Sequence, residues 1–260
     1  MQPVLTVIRL GDRELPIGSY GVMLCLALVV VALGVLATAR KAGLDLGACI
    51  AAIGTTVGAG FVGAALLHGL VQCVRHGSLQ ALLLPPGMAF FGAALGVGAV
   101  LPLCRRWLEL PVLELADRSV PVLCLGHALG RIGCLLGGCC FGRPWQGALA
   151  IHYNHPLAPA AALGAARHPY PLYEATGLLV LAVVFALLPV REPGSGRRLI
   201  AYAASYSLLR LGLEPLRGDV VRGVFFGGAL STSQLIAGGV LVGCAMLALL
   251  RRRAHALGHT

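Results

Sequence analysis

What most limits the fold of this chain is a series of apolar blocks, each closed by a turn or a short basic cluster. A transmembrane helix needs about 20 predominantly apolar residues to cover the roughly 30 Å of bilayer hydrocarbon. Blocks at about 19–38, 47–72, 84–104, 119–140, 172–190, 199–214 and 229–250 meet or approach that length, with boundaries blurred by a few residues. The expected fold is therefore all-α: a polytopic integral membrane helix bundle of about seven transmembrane helices, forming a single domain over residues 1–260. Residues 1–16, with Arg9, Asp12, Arg13 and Glu14, are too short and too charged to span and read as an element at the membrane surface. The second block carries Gly58, Gly60 and Gly63 and reads as a packing helix, because small residues let helix backbones approach. The first block runs into Arg40-Lys41 without a small-residue cleavage pattern, so no removable signal peptide is expected.

Charge then sets orientation and excludes one class of partner. The net charge of +10 would suit nucleic acid, but the basic residues sit in short clusters between apolar blocks, so they read as topology signals and lipid contacts and no nucleic-acid partner is expected. One side of the membrane collects Arg40, Lys41, Arg105, Arg106, Arg118, Arg191, Arg197, Arg198 and Arg251 to Arg253. The other collects Arg9, Arg13, Arg75, Arg143, Arg167, Arg217 and Arg222. Eleven against seven puts the N-terminus outside and the C-terminus in the cytoplasm.

Against this apolar background, the stretch GHALGRIGCLLGGCCFGRP, Gly126 to Pro144, stands out. It begins inside the fourth block yet carries His127 and Arg131. An arginine at the centre of a membrane helix costs about 2.5 to 3.5 kcal/mol on insertion scales, so it calls for a partner, a wet cavity or a ligand. In the sixth block Tyr206, Arg210 and Glu214 are spaced i, i+4, i+8 and share one helix face. Two readings of the arginines stand side by side: structural pairing with carbonyls or with Glu214, or a phosphate site built from guanidinium groups. The connection 141–170 carries His152, His155 and His168, and loops of that length are often functional.

Nine cysteines do not make a disulfide scaffold here, since six lie in or beside apolar blocks. Cys134, Cys139 and Cys140 cluster, but not as C-x-x-C, and small-residue packing is the expected role rather than a metal site; a disulfide or a nucleophilic thiol stays open.

Five segments in order carry a resemblance across nearly the whole chain: SYGVML (Ser19 to Leu24), GRIG through FGRP (Gly130 to Pro144), RHPYPLYE (Arg167 to Glu174), YSLLRLGLEPLRGD (Tyr206 to Asp219) and STSQL (Ser231 to Leu235). Together they resemble the prolipoprotein diacylglyceryl transferases. The resemblance implies seven spans with the N-terminus out and the C-terminus in, residence in the bacterial cytoplasmic membrane, and a site toward its extracytoplasmic side. It implies transfer of the diacylglyceryl group from phosphatidylglycerol to the lipobox cysteine thiol of a prolipoprotein peptide, giving a thioether and releasing glycerol phosphate. Membrane lipids are further partners, and no cofactor is implied. Arg131, Arg210, Tyr206 and Glu214 then stand as catalytic positions. Tyr20, Arg131, Gly142, Arg143 and Arg210 stand as headgroup-binding positions.

This chain departs from the family pattern where Phe91 replaces a histidine and where Cys134 and Cys139 replace an asparagine and an acidic residue. His127 and His168 are the candidates to take over the proton. His127 also reads as a core histidine that orients Arg131, and His168 as a cap for the fifth helix. Tyr173 and Glu174 read as an interfacial anchor and a helix-start charge. The departures also leave room for a relative that binds lipid or passes a small solute without catalysis, or for a transferase with another phospholipid donor or thiol acceptor.

Overall fold

The computed structural model describes residues 2–10, 13–78, 90–219, 224–225 and 230–257. Arg222 and Asp12 lie outside them, as do the start of the third expected span and the side chain of Phe91. Seven α-helices appear among the described residues: α1 (Ser19–Lys41), α2 (Leu46–His76), α3 (Phe90–Trp107), α4 (Val112–Gly137), α5 (Tyr170–Leu187), α6 (Arg197–Leu213) and α7 (Thr232–Leu257). Five of them, α1, α2, α4, α5 and α7, are long and apolar enough to cross a membrane. The described part of α3 ends in Arg105-Arg106, and α6 has 17 residues with two arginines at its start.

The all-α expectation misses two short hairpins. β1 (Val4–Leu10) and β2 (Arg13–Gly18) pair antiparallel, so the charged N-terminal segment is a two-stranded ribbon leading into α1. β3 (Val224–Phe225) pairs with β4 (Leu230–Ser231) just before α7. The fourth span also ends earlier than expected. Gly138 adopts φ +71°, its amide bonds the Leu135 carbonyl, and the Cys139 amide reaches back to the Cys134 carbonyl at 3.1 Å. That is a Schellman stop, which leaves Cys139 and Cys140 beyond the helix.

The chain forms two compact units, residues 32–116 and residues 1–31 with 117–260. In the first, α2 and α3 touch backbone to backbone: a Cβ on Gly92 would stand 2.1 Å from the Gly63 carbonyl oxygen, and one on Gly96 would stand 2.1 Å from that of Ala59. The packing role read for the glycine-rich block is thus realised against α3. Ala39, Cys49 and Leu110 form a small buried cluster in the same unit.

In the second unit α1 seats on α4 by the same means, with Gly126 under Val31 and Gly133 under Met23 and Tyr20. A core of Val120, Cys124 and Phe185, with Leu199 and Tyr202 against it, joins α4, α5 and α6. α6 packs in turn on α5 and α7. Buried Asp117 of α4 accepts from the amides of Gly196 (2.7 Å) and Leu199 (3.0 Å) and caps α6 from a neighbouring helix. A carboxylate there satisfies two amides and complements the helix dipole.

Candidate active site

Three helices of the second unit each bring one polar side chain to a common point. On α4, His127, Arg131 and Cys134 are spaced i, i+4, i+7 and share a face. Arg131 Nε lies 3.2 Å from Glu174 Oε1 of α5, and its Nη2 donates to the Tyr206 hydroxyl of α6 at 3.1 Å. Tyr206 donates to the same Glu174 oxygen at 2.6 Å. Glu174 is completely buried, while the Arg131 side chain keeps 18% of its exposure. Two atoms of this triad remain without a hydrogen bond among the described residues: Arg131 Nη1, and the buried Glu174 Oε2. A buried carboxylate oxygen left unmatched costs roughly 1 to 3 kcal/mol or more, so its retention points to a use.

The second arginine has three protein partners. Arg210 donates through Nη1 to Glu214 Oε2 at 2.8 Å and to the Tyr170 hydroxyl, and through Nη2 to Ser233 Oγ at 2.9 Å. Arg210, Glu214 and Tyr170 are all buried. The guanidinium carbons of Arg210 and Arg217 lie 5.4 and 5.6 Å from the centre of the Tyr170 ring. Arg217 is fastened to Asp219 through Nε and, at 2.8 Å, through Nη2. Burial works against its charge, but the Asp219 carboxylate more than offsets it and raises the guanidinium above its ordinary range.

Beyond the helices, three loop segments meet at Gly142. Its amide bonds the His168 carbonyl, the Arg143 amide bonds that of Leu216 at 2.8 Å, and Gly218 bonds back to Phe141. Gly142 bridges Arg217, and Arg167 bridges both Pro144 and Ile151. A Cβ on Gly142 would lie 2.5 Å from that of His168, so only glycine lets the segments come this close. Arg167 donates to the Gly142 carbonyl at 3.2 Å and lies 5.0 Å from the Phe141 ring centre. His168 stacks on Trp145 at 4.2 Å, and its Nδ1 meets the Tyr173 hydroxyl at 3.3 Å. A cleft of about 780 Å³ opens beside Trp145, lined also by Gln146 and His152; none of the triad residues lines it. Burial pushes the loop's Tyr153 hydroxyl up to about 12.

The turn after α4 gathers the sulfurs of Cys134, Cys139 and Cys140 within 4.8 Å of one another. Cys140 adopts φ +54°, a left-handed conformation rare outside glycine. Hydrogen bonding with Cys134 and Cys139, helped by Arg217 and Arg131, holds the Cys140 thiol well below its ordinary range despite burial.

Several sequence expectations change here. Glu174 is no helix-start charge; it sits on the second turn of α5, four residues after Tyr170, and both are fully buried. His127 bonds to α6: its Nδ1 meets the Tyr202 hydroxyl at 2.9 Å and its ring packs on Tyr206. His168 does not cap α5, whose N-cap is Pro169 without a side-chain bond. Arg210 and Glu214 do form the ion pair left open above. Tyr20 is 45% exposed on α1 against Gly133 and Gly137, and Arg143 is exposed. Tyr170, Glu174, Asp117 and Ser233 were missed as site or support residues. The signal for Glu174 was the arginine itself, since an intramembrane guanidinium calls for a carboxylate on a facing span.

A family model for prolipoprotein diacylglyceryl transferase matches residues 6–250. Phosphatidylglycerol–prolipoprotein diacylglyceryl transferase 2 of Clostridium perfringens is 31% identical over 237 residues, 90% of each chain. The corresponding transferase of Dehalococcoides mccartyi is 29% identical over 201 residues, 76% of each chain. That of Caulobacter vibrioides is 35% identical over 175 residues, 60% of this chain and 57% of its own. On a match that runs nearly end to end, this chain belongs to the prolipoprotein diacylglyceryl transferase family.

Proposed function

We propose that this protein is a phosphatidylglycerol–prolipoprotein diacylglyceryl transferase whose lipid headgroup is received by Arg131 and Glu174. The observation that carries the reading is the pair of unmatched atoms in the triad, Arg131 Nη1 and Glu174 Oε2. A guanidinium N–H suits the phosphodiester, and a carboxylate oxygen suits a hydroxyl of the headgroup glycerol. Tyr206 holds the two in register. Arg210, its charge paired with Glu214, braces α6 against Tyr170 and Ser233 beside this site, while Gly142, Arg143 and Tyr20 border the entry.

In the reaction, the lipobox sulfur forms a bond to the glyceryl carbon and the bond from that carbon to the phosphate oxygen breaks. The electron pair leaves on glycerol phosphate, which gains a negative charge as it departs. Fixed positive charge stabilises such a leaving group and favours the thiolate nucleophile. The thiol proton passes to His168 on the loop, whose Nε2 has no partner among the described residues. His127 supports Tyr206 from within the helices.

The topology proposed with this reading has seven spans, α3 and α6 completing the five, with the N-terminus out and the C-terminus in the cytoplasm. The site opens toward the extracytoplasmic side of the bacterial cytoplasmic membrane, and the arginine census supports that orientation.

The purified protein, given phosphatidylglycerol and a lipobox peptide, releases glycerol phosphate and adds a diacylglyceryl mass to the peptide. It also restores lipoprotein lipidation in a bacterium depleted of its own transferase. Failure of both, in an assay where the Clostridium perfringens relative works, contradicts the reading. The departures at Phe91, Cys134 and Cys139 favour a second reading, a relative that binds phosphatidylglycerol without turning it over. That reading predicts lipid binding with no glycerol phosphate.

A further inference from the structure

The transferase reading leaves the cysteine turn unused. Positions 134, 139 and 140 lack the spacing of common zinc motifs, yet the backbone brings their sulfurs together by two identifiable devices. The Schellman stop places residue C″, Cys139, over residue C3, Cys134, a contact that this motif favours. The left-handed turn at Cys140 then carries the third sulfur back onto the first two. Six further cysteines are also free thiols, but they do not join the group.

We propose that Cys134, Cys139 and Cys140 form a three-thiolate site for one thiophilic metal ion of the zinc class, set in the turn between α4 and Gly142. Zinc bonds thiolate sulfur at about 2.3 Å, so sulfurs in a tetrahedral site stand roughly 3.8 Å apart. Sulfurs already within 4.8 Å need only small side-chain adjustments to reach that arrangement. The donor set is soft, which selects zinc or copper(I) over magnesium or calcium. No histidine or carboxylate joins the group among the described residues, so a fourth position stays open to water or to an external thiol. Three thiolates on a divalent ion leave one negative charge, close to Arg217, which is bridged to Gly142 two residues beyond Cys140 and is itself paired with Asp219. The ion would tie the end of α4 to the loop segments that meet at Gly142.

The test uses the full chain in detergent, reduced and handled without oxygen, with zinc and then cobalt(II) as probes. Expected are one tightly held zinc per chain, a thiolate-to-cobalt charge-transfer band, and protection of three thiols from alkylation when zinc is bound. Zinc raises the melting temperature of the wild type. Cys134→Ser, Cys139→Ser and Cys140→Ser each lose the stoichiometric ion, while Cys244→Ser keeps it. If a serine variant fails to fold, the alkylation pattern of the wild type alone decides. The proposal is overturned by the absence of a stoichiometric ion in reduced protein, by unchanged binding in the serine variants, or by a disulfide among the three in protein taken directly from membranes. None of these readouts depends on transferase activity, so the two readings fail separately.

Discussion

Arg131 and Arg210 are both arginines sunk among helices, and both face a carboxylate, but the two differ in exposure and in the number of partners each guanidinium holds. Around Arg210 the protein supplies a carboxylate, a phenol and a serine hydroxyl, and the side chain is 7% exposed. Around Arg131 one guanidinium nitrogen and one Glu174 oxygen take no hydrogen bond among the described residues, and the arginine side chain is 18% exposed. The first is a post that joins α6 to the starts of α5 and α7. The second is the one that the proposed function assigns to a phosphate next to a hydroxyl.

Removing one partner of a buried pair strands the other charge, so the largest effect on stability belongs to the Arg210–Glu214 pair, buried on both sides. Arg210→Ala lowers stability by about 3 to 5 kcal/mol, seen as a lower melting temperature in detergent. The double change Arg210→Met with Glu214→Leu recovers most of it, because both charges leave together. A single variant as stable as the wild type would erase the contrast between the two sites.

At Arg131 the effect moves from stability to turnover. Arg131→Ala reduces glycerol phosphate release about 100- to 1,000-fold, and pairing it with Glu174→Leu does not recover activity. Activity recovered by the pair would make this site structural as well. Tyr206→Phe removes a hydroxyl hydrogen bonded to two charged groups, lowers stability by about 1.5 to 3 kcal/mol and slows turnover roughly 10- to 100-fold. The smallest expected effect lies in the other unit. Gly92→Ala forces a methyl against the Gly63 carbonyl and costs about 1 to 3 kcal/mol in stability, with per-molecule activity of the folded fraction retained.

Much of this was legible in the sequence, for physical reasons that differ by residue. Block length revealed the helices, because hydrocarbon tolerates few other backbones and leaves a long apolar signature. Arg131 and Arg210 stood out because charge in an apolar block is expensive, and Tyr206 because it shares a helix face with Arg210. Glu174 was misread because its place near the start of a span made a dipole role sufficient, and sequence does not say which way a helix face points. The hairpin at β1 and β2 was hidden by its charged alternation, which reads equally well as a surface helix or a ribbon. The convergence of Cys134, Cys139 and Cys140 depends on one left-handed residue at 140, a backbone choice that side-chain identity does not disclose.

The most direct test of the open site is a structure of the protein with phosphatidylglycerol bound. The account predicts the headgroup phosphate within hydrogen-bond distance of Arg131 Nη1 and a glycerol hydroxyl on Glu174 Oε2, with the Arg210 contacts unchanged. A headgroup held elsewhere, with those two atoms matched by the protein's own groups, would contradict it.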